Sequence, residues 1–386
     1  MKISLGMVIR DFISPEPISQ FLQNAYEYGH KIECVIIAYS GKFDQSAYEA
    51  LDTITDVVLL KINRAESLQN KLKDLNISEK ATKELLYCPY LDKFNMVPYG
   101  FNRNTVLMQA ALYGCDVLIF VDSDVKPEVL IKDNENSLQY KSVDFIGRHI
   151  SEIKKNADIT TSDYSGYNIL PPANFADMDS LLIGLQKEEM KSFWEDSYKH
   201  NCLTLQKNIE PKTFVTKKAL GGNLGINLAS FSKTPPFFSP VYLADDNLYL
   251  ARGEDTLISI MAKNKGLKCI DIDTHIFHDT FENFPEKPDL INDIKVQQRF
   301  FIACTGWIGR NPFMNWLNKA DRKEEKERRE EQLKIGSSSL YQYTKNNKFL
   351  ELPNKFKIAY ASLPDMIDQY NRTIDAWNEL IRKGGF

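Results

Sequence analysis

Along the first part of the chain, short apolar runs alternate with segments whose apolar residues return every three or four positions. The runs are KISLGMVI, IECVIIAY, DVVLLKI and CDVLIFVDSD. IECVIIAY is apolar almost throughout, as expected of a strand covered on both faces of a sheet. Between the runs, SPEPISQFLQNAYEYG opens with Ser-Pro, carries apolar residues at helical spacing and stops at Gly29. SAYEALDTI reads as a short helix, and NRNTVLMQAALYG as a longer one closed by Gly114. This alternation predicts an α/β fold with a mostly parallel sheet flanked by helices.

From about residue 132 to 212 the regularity is lost. Tyrosine, serine and proline are frequent there, as in TTSDYSGYNILPPANF, and the stretch predicts a substrate-facing excursion. ARGEDTLISIMAKNKG then predicts a helix opened by Glu254 and Asp255, and LKCIDIDTHIFHD a strand ending in histidines. After Pro288 the pattern is helical. NKADRKEEKERREEQLK mixes charge signs at helical spacing, which marks a solvated helix. LPDMIDQYNRTIDAWNELIRK gathers Met366, Ile367, Tyr370, Ile374, Trp377 and Leu380 on one face. That face is expected to pack on the main domain or to form a homo-oligomer through the C-terminal helices.

Composition narrows the function classes. A net charge of −4 argues against nucleic acid as a partner. No run is long enough to span a membrane. MKISLGMVIRDF lacks a signal-peptide core. A cytoplasmic protein is expected, with the amphipathic last helix allowing contact at the inner membrane surface. The six cysteines are scattered without a CxxC pair, which predicts buried free thiols rather than a zinc site.

The stretch VLIFVDSDVKP carries the main chemical signal. Read as strand, it projects Asp122 and Asp124 to one side, with Cα atoms about 7 Å apart. Two such carboxylates repel unless a cation lies between them. In an open α/β sheet, ligands bind at the carboxyl ends of the strands, and a hard cation bridging phosphate oxygens suits that place. The alternative is a strand-end turn built from common turn formers.

The wider segment GFNRNTVLMQAALYGCDVLIFVDSDV resembles the GT-A-fold, nucleotide-sugar-dependent glycosyltransferases, family 2 above all. Arg103 and Asn104 open the helix, Gly114 closes it, and the strand ends in Asp122, Ser123 and Asp124. Downstream, GGNLGINLASF, with Gly222, resembles the glycine-rich strand lining the acceptor side, and GEDTLISIMAKNKG resembles the family's acidic helix start. The likeness spans about residues 1–282.

The resemblance implies a GT-A (Rossmann-like) domain over residues 1–286. Its nucleotide-binding part would cover about 1–131 and its acceptor side about 132–286; the helical extension over 287–386, read from the helical pattern, lies outside the resemblance. It implies Mn²⁺ or Mg²⁺ held by Asp122, Asp124 and His278, and a UDP- or GDP-sugar donor contacted by Arg103, Asn104, Ser123 and Gly222; the chain's own strand ends add Arg10 and Tyr39 as nucleotide contacts. Asp255, beside Glu254, would be the general base in an inverting hexosyl transfer. The acceptor would be a glycan, lipid-linked or small-molecule hydroxyl, in glycan, cell-surface polysaccharide or glycoconjugate synthesis. A helix N-terminus stabilises the charge of an ionised base, and imidazole suits Mn²⁺ as a ligand. His275 is the second histidine near that strand end. Trp194, Tyr164 and Tyr167 offer aromatic faces to an acceptor.

One departure stands out. Where family 2 usually carries an aspartate at the end of the second strand, this chain has IIAYSGKFDQ. Tyr39 is offered to the base instead, with Asp44 as second candidate. The IAYS ending is similar to mannosylglycerate-synthase-like enzymes, which use GDP-mannose and retain configuration.

Three rival readings exist. Haloacid-dehalogenase phosphatases also place D-x-D after an apolar strand, and LADDNL with Asp245 and Asp246 mimics their later acidic pair. Three β/α units before the motif oppose that reading. A nucleotidyltransferase would bring a glycine-rich basic loop, and GMVIRDFISPE has none. A non-catalytic sugar-binding protein does not need Asp122, Asp124, Asp255 and His278 together.

Overall fold

The computed structural model describes residues 1–91, 97–132, 137–192, 212–244, 247–320 and 322–386. Trp194, Cys202, Asp245 and Asp246 lie outside the described residues. The chain begins with β1 (Ile3–Ile9), α1 (Glu16–Glu27), β2 (Cys34–Tyr39), α2 (Gln45–Asp52) and β3 (Asp56–Lys61). Helices α3 (Glu66–Asp74), α4 (Glu79–Leu86) and α5 (Tyr99–Leu112) lead to β4 (Val117–Val121). Then come β5 (Val125–Lys126), β6 (Glu128–Lys132), β7 (Leu138–Ser142), α6 (Phe145–Lys154), β8 (Ile159–Thr161), β9 (Tyr164–Ser165) and α7 (Met178–Leu185). These are followed by β10 (Phe214–Val215), β11 (Leu224–Asn227), β12 (Val241–Ala244), β13 (Asn247–Leu250), α8 (Glu254–Asn264), β14 (Cys269–Asp271) and β15 (Ile276–His278). The C-terminal helices are α9 (Ile294–Leu317), α10 (Lys323–Thr344), α11 (Leu352–Ala361) and α12 (Leu363–Gly384).

The main sheet runs β10-β14-β8-β11-β4-β1-β2-β3. β4, β1, β2 and β3 are mutually parallel, while β11 runs antiparallel between β4 and β8. This is the mostly parallel, helix-flanked α/β sheet expected from the pattern, with C-terminal helices added. The chain leaves β1 toward β2 and β3, then returns to place β4 on the other side of β1. That reversal makes a switch point, where strand ends part and a ligand finds room. Arg10 follows β1 and Asp122 follows β4 at this edge.

β2 and β4 are buried at every position, as their unbroken apolar runs require. One apolar core joins the sheet to the C-terminal helices and includes Val106, Phe120, Phe300, Phe313 and Trp377. The apolar face of α12 is used there: Met366, Trp377 and Leu380 are buried, and Trp377 Nε1 donates to the Thr234 carbonyl at 2.9 Å. The stripe offered to a membrane surface or a second subunit is thus occupied within the chain. Among the described residues, no helix is long and apolar enough to cross a membrane. The five described cysteines are buried.

LKCIDIDTHIFHD is not one strand. It divides into β14 in the main sheet and β15 in a three-stranded sheet ordered β5-β15-β9, with Asp273 at φ 49° in the break. The division carries the histidine end of the segment to the switch point.

His149, on α6, is fully buried against β8 and the segment before β11. Its Nδ1 lies 2.8 Å from Thr160 Oγ1 and its Nε2 3.1 Å from Asn223 Oδ1. Burial pushes its imidazole down to about 3. An unfolded chain protonates the ring near 6.5, so the contribution is complete above that pH. It is lost as pH falls toward about 3, at up to about 1.4 kcal/mol per pH unit. A melting-temperature profile from pH 7 to 5 should therefore fall more steeply in the native protein than in His149→Gln. Equal slopes would contradict this assignment.

Candidate active site

β4 ends at Val121, and Asp122, Ser123 and Asp124 form a turn beyond it. The two carboxylates therefore do not share a face through the strand pleat, and each has its own partners. Arg103, from α5, is 2% exposed and lies under the turn. Its Nη2 donates to Asp122 Oδ1 at 2.8 Å, its Nε to Glu254 Oε1 at 3.0 Å and its Nη1 to the Gly221 carbonyl at 3.0 Å. The guanidinium also lies 5.1 Å from the centre of the Phe120 ring. One buried cation thus ties β4, α8 and the loop before β11 together. Burial opposes its charge, but Asp122, Glu254 and Asp255 outweigh that and raise its proton affinity. Two carboxylates share this one guanidinium. Burial raises the proton affinity of both Asp122 and Glu254, with Arg103 pulling the other way.

Asp124 meets a second set of groups. β15 pairs with β5 so that His278 stands opposite Val125, one residue beyond Asp124. His278 Nε2 lies 3.2 Å from Asp124 Oδ2, and Arg299 Nη2, from α9, lies at the same distance from that oxygen. Burial pushes the Asp124 carboxyl up. The bond and charge of His278, with the charge of Arg299, win and hold it down at about 2.

These residues pass a test for a divalent cation. The Thr280 hydroxyl donates to the Tyr167 carbonyl at 2.6 Å, so its oxygen faces His278 Nδ1 as an acceptor at 3.3 Å. Nε2 bonds Asp124 through a proton; were a cation to displace that proton, Nε2 would offer it a lone pair while Nδ1 donated to Thr280. A divalent cation would take the place of the proton that Nε2 and Asp124 share. One carboxylate and one imidazole leave the remaining positions to phosphate and water, as Mg²⁺ and Mn²⁺ sites at nucleotides do. Among the described residues, no group of three or more His, Cys, Asp or Glu side chains is placed to hold a metal. Asp122, expected as a third ligand, is turned onto Arg103 instead.

Asp255 lies in the first turn of α8, after Gly253 at φ 98°. Its Oδ2 accepts from the Gly221 amide at 3.3 Å and its Oδ1 from the Thr256 amide at 2.6 Å. Gly222 donates its N–H to Tyr164 Oη at 2.8 Å. A Cβ there would stand 2.8 Å from Asp122 Oδ2, which explains the glycine. The Tyr164 ring is 4.9 Å from that of His278, and burial raises its hydroxyl well above the usual range, keeping it protonated.

Other expected residues are placed elsewhere or less specifically. Asn104 is a correction: its Nδ2 donates to the Phe237 carbonyl at 2.9 Å and its Oδ1 accepts the Phe237 amide at 2.7 Å. Both ends of the amide are spent on holding the backbone. Asp44 caps α2 through the Ser46 and Ala47 amides. Tyr39 ends β2 with its ring 5.8 Å from Phe43. Arg10 and Ser123 are exposed at the strand ends. The ring atom Nδ1 of His275 is buried without a partner, and Tyr167 Oη donates to the Pro285 carbonyl at 3.1 Å.

Arg299 was missed in the sequence. The signal was present, since Arg299 and Arg310 are the only charges between Val296 and Asn318. They are eleven residues apart, just over three turns and about 16 Å along one helix face.

No family model matches the chain, and no curated protein is similar to it. Among solved structures, it is similar to glucosyl-3-phosphoglycerate synthase from Mycobacterium tuberculosis in complex with Mn²⁺, uridine diphosphate and glucosyl-3-phosphoglycerate. The identity is 11% over 83% of this chain and 81% of that one, with a TM-score of 0.40. It is also similar to residues 1–349 of S. aureus TarS, at 13% identity over 100% of this chain and 92% of that one, with a TM-score of 0.39. Likeness at this level carries no argument about chemistry, which rests on the chain's own residues.

Proposed function

We propose that this protein transfers a sugar from a nucleoside-diphosphate sugar to an acceptor hydroxyl with the help of a divalent cation. The observation that supports this most is the meeting of Asp124, His278 and Arg299 at the switch point, with Asp255 held nearby through the Gly221 loop. The Arg10 and Tyr39 strand ends and Ser123 take the nucleotide. Asp124 and His278 hold the cation, which when bound neutralises charge on the diphosphate. Arg299 places a guanidinium beside the same phosphates. Arg103 does not touch the donor. It fixes the Asp122 turn and the start of α8 in register.

Asp255 takes the proton of the acceptor hydroxyl as that oxygen attacks the anomeric carbon and the nucleoside diphosphate leaves, which inverts the configuration. Its two backbone donors hold the carboxylate while leaving lone pairs for that proton. The expected test result is Mn²⁺-dependent release of nucleoside diphosphate from one member of a UDP- and GDP-sugar panel. Phosphate release from an aryl phosphate, with no turnover of any sugar nucleotide, would move the assignment to a phosphatase.

A further inference from the structure

The turn before β11 sends two consecutive amide donors to two walls of the site. The Asn223 N–H closes it on the Leu220 carbonyl at 2.9 Å, with Gly221 and Gly222 at its centre. Thr161 holds both ends: its hydroxyl accepts the Leu220 N–H at 3.0 Å and donates to the Asn223 carbonyl at 2.9 Å. Asn223 Nδ2 adds a bond to the Thr274 carbonyl at 3.1 Å. From this fixed turn Gly221 donates to Asp255 Oδ2 at 3.3 Å and Gly222 to Tyr164 Oη at 2.8 Å.

Tyr164 belongs to β9, where it stands opposite Ile276 of β15, two residues before His278. Its oxygen accepts the Gly222 N–H, so its own hydrogen is left to give. Burial above all, then the charges of Asp122 and Asp255, keep that hydrogen in place at neutral pH. No described residue accepts it. Asp122 is in the complementary position. Its Oδ1 takes Arg103 Nη2 at 2.8 Å, while its Oδ2 receives no donor from a described residue, and its side chain is 31% exposed.

The unused donor and the unused acceptor face one space. Asp122 Oδ2 lies 2.8 Å, and Tyr164 Oη 3.0 Å, from the point that a Cβ on residue 222 would occupy. Both being within 3.0 Å of one point, they are within about 6 Å of each other, yet they are not bonded. A single oxygen atom at about 2.8 Å from each spans such a gap. The group that fits is a hydroxyl, which accepts one hydrogen and donates another. A phosphate or carboxylate oxygen would meet the Asp122 charge, and an ammonium would leave the Tyr164 hydrogen unused. Glycine at position 222 keeps the space open.

We propose that Tyr164 and Asp122 grip one hydroxyl of the transferred sugar, Tyr164 donating and Asp122 accepting, and that Tyr164 thereby helps to select the sugar. The proposal rests on the transferase reading of the site. The location favours the donor sugar over the acceptor. On one side stands the Asp124 and His278 pair that would hold the cation, with the His278 ring 4.9 Å from that of Tyr164. On the other stands Asp255, one amide along the same turn. A sugar bound to the diphosphate and open to the base lies between the two. An epimer that carries this hydroxyl elsewhere leaves both protein groups unpaired, which is how a polar site rejects a near-identical ligand.

The test is calorimetry on the full chain with Mn²⁺ and no acceptor. UDP- and GDP-sugars are titrated beside free UDP and GDP, and the sugar nucleotide that binds is then offered as its monodeoxy analogues. One deoxy analogue is expected to bind about three- to tenfold more weakly than its parent, the effect of one hydrogen bond. Tyr164→Phe should lose the same factor on the parent and nothing further on that analogue, while free nucleoside diphosphate binds as to the native protein. That non-additivity separates a direct contact from a general loosening of the site. Gly222→Ala puts a methyl group between the two oxygens and should behave alike, which decides the matter where Tyr164→Phe does not fold. Unchanged sugar-nucleotide binding in both variants overturns the proposal. So do losses from Tyr164→Phe and from every deoxy analogue that simply add. In both cases Mn²⁺-dependent binding of the free nucleotide leaves the transferase reading standing. Absence of nucleotide binding to the folded native protein would overturn both.

Discussion

Asp255→Asn is expected to lower sugar transfer by about 10²- to 10⁴-fold, the usual contribution of a general base, while nucleotide binding persists. The substitution keeps shape and removes only the ability to take a proton. The amide oxygen can still accept one of the two backbone N–H groups that now meet the carboxylate at 3.3 and 2.6 Å. The other N–H then faces an NH₂, at a stability cost of about 1 kcal/mol. The readouts are the rate of nucleoside diphosphate release with acceptor present and the melting temperature. A variant that transfers at the native rate would remove Asp255 from the chemistry and leave stereochemical inversion without its base.

Arg103→Met should be among the most damaging single changes to stability, at about 3–5 kcal/mol. That is a large part of the roughly 5–15 kcal/mol by which a domain is stable. Methionine fills much of the apolar space beside Phe120 but leaves Asp122 and Glu254 without their shared cation and the Gly221 carbonyl without its donor. Removing one member of a buried charged set costs more than the set contributes when whole, because the charges left behind stay desolvated. Adding Glu254→Gln to Arg103→Met should recover part of the loss, which a double-variant cycle in urea would measure. A cost under about 1 kcal/mol, with no coupling to Glu254, would show that the guanidinium does not organise the turn.

The sheet was legible because its strands are short apolar runs, separated by helices two of which stop at glycines, Gly29 and Gly114. The acidic turn was legible as a position but not as a geometry. Strand alternation put Asp122 and Asp124 on one face, whereas the strand ends at Val121 and the two diverge to Arg103 and to His278. Asn104 sits beside Arg103 in sequence, yet only Arg103 reaches the turn, because adjacent helix positions point apart. His278 could be singled out as a histidine near a strand end. Its delivery beside Asp124 depends on β15 leaving the main sheet, which periodicity does not encode. Arg299 reaches the site through the long-range packing of α9. Its only local sign was an isolated charge in a segment otherwise without charges.

The most direct measurement of the central claim is a thermal-shift titration of UDP, GDP, CDP and dTDP with and without Mn²⁺, on the native protein and on Asp124→Ala. A ligand present at 100 times its dissociation constant stabilises the native state by about 2.7 kcal/mol, which a melting curve resolves. The expected result is a Mn²⁺-dependent shift with one nucleotide that disappears in Asp124→Ala. No shift with any nucleotide, or a shift that is the same in Asp124→Ala, would contradict a cation-assisted nucleotide-sugar site at the β4 turn.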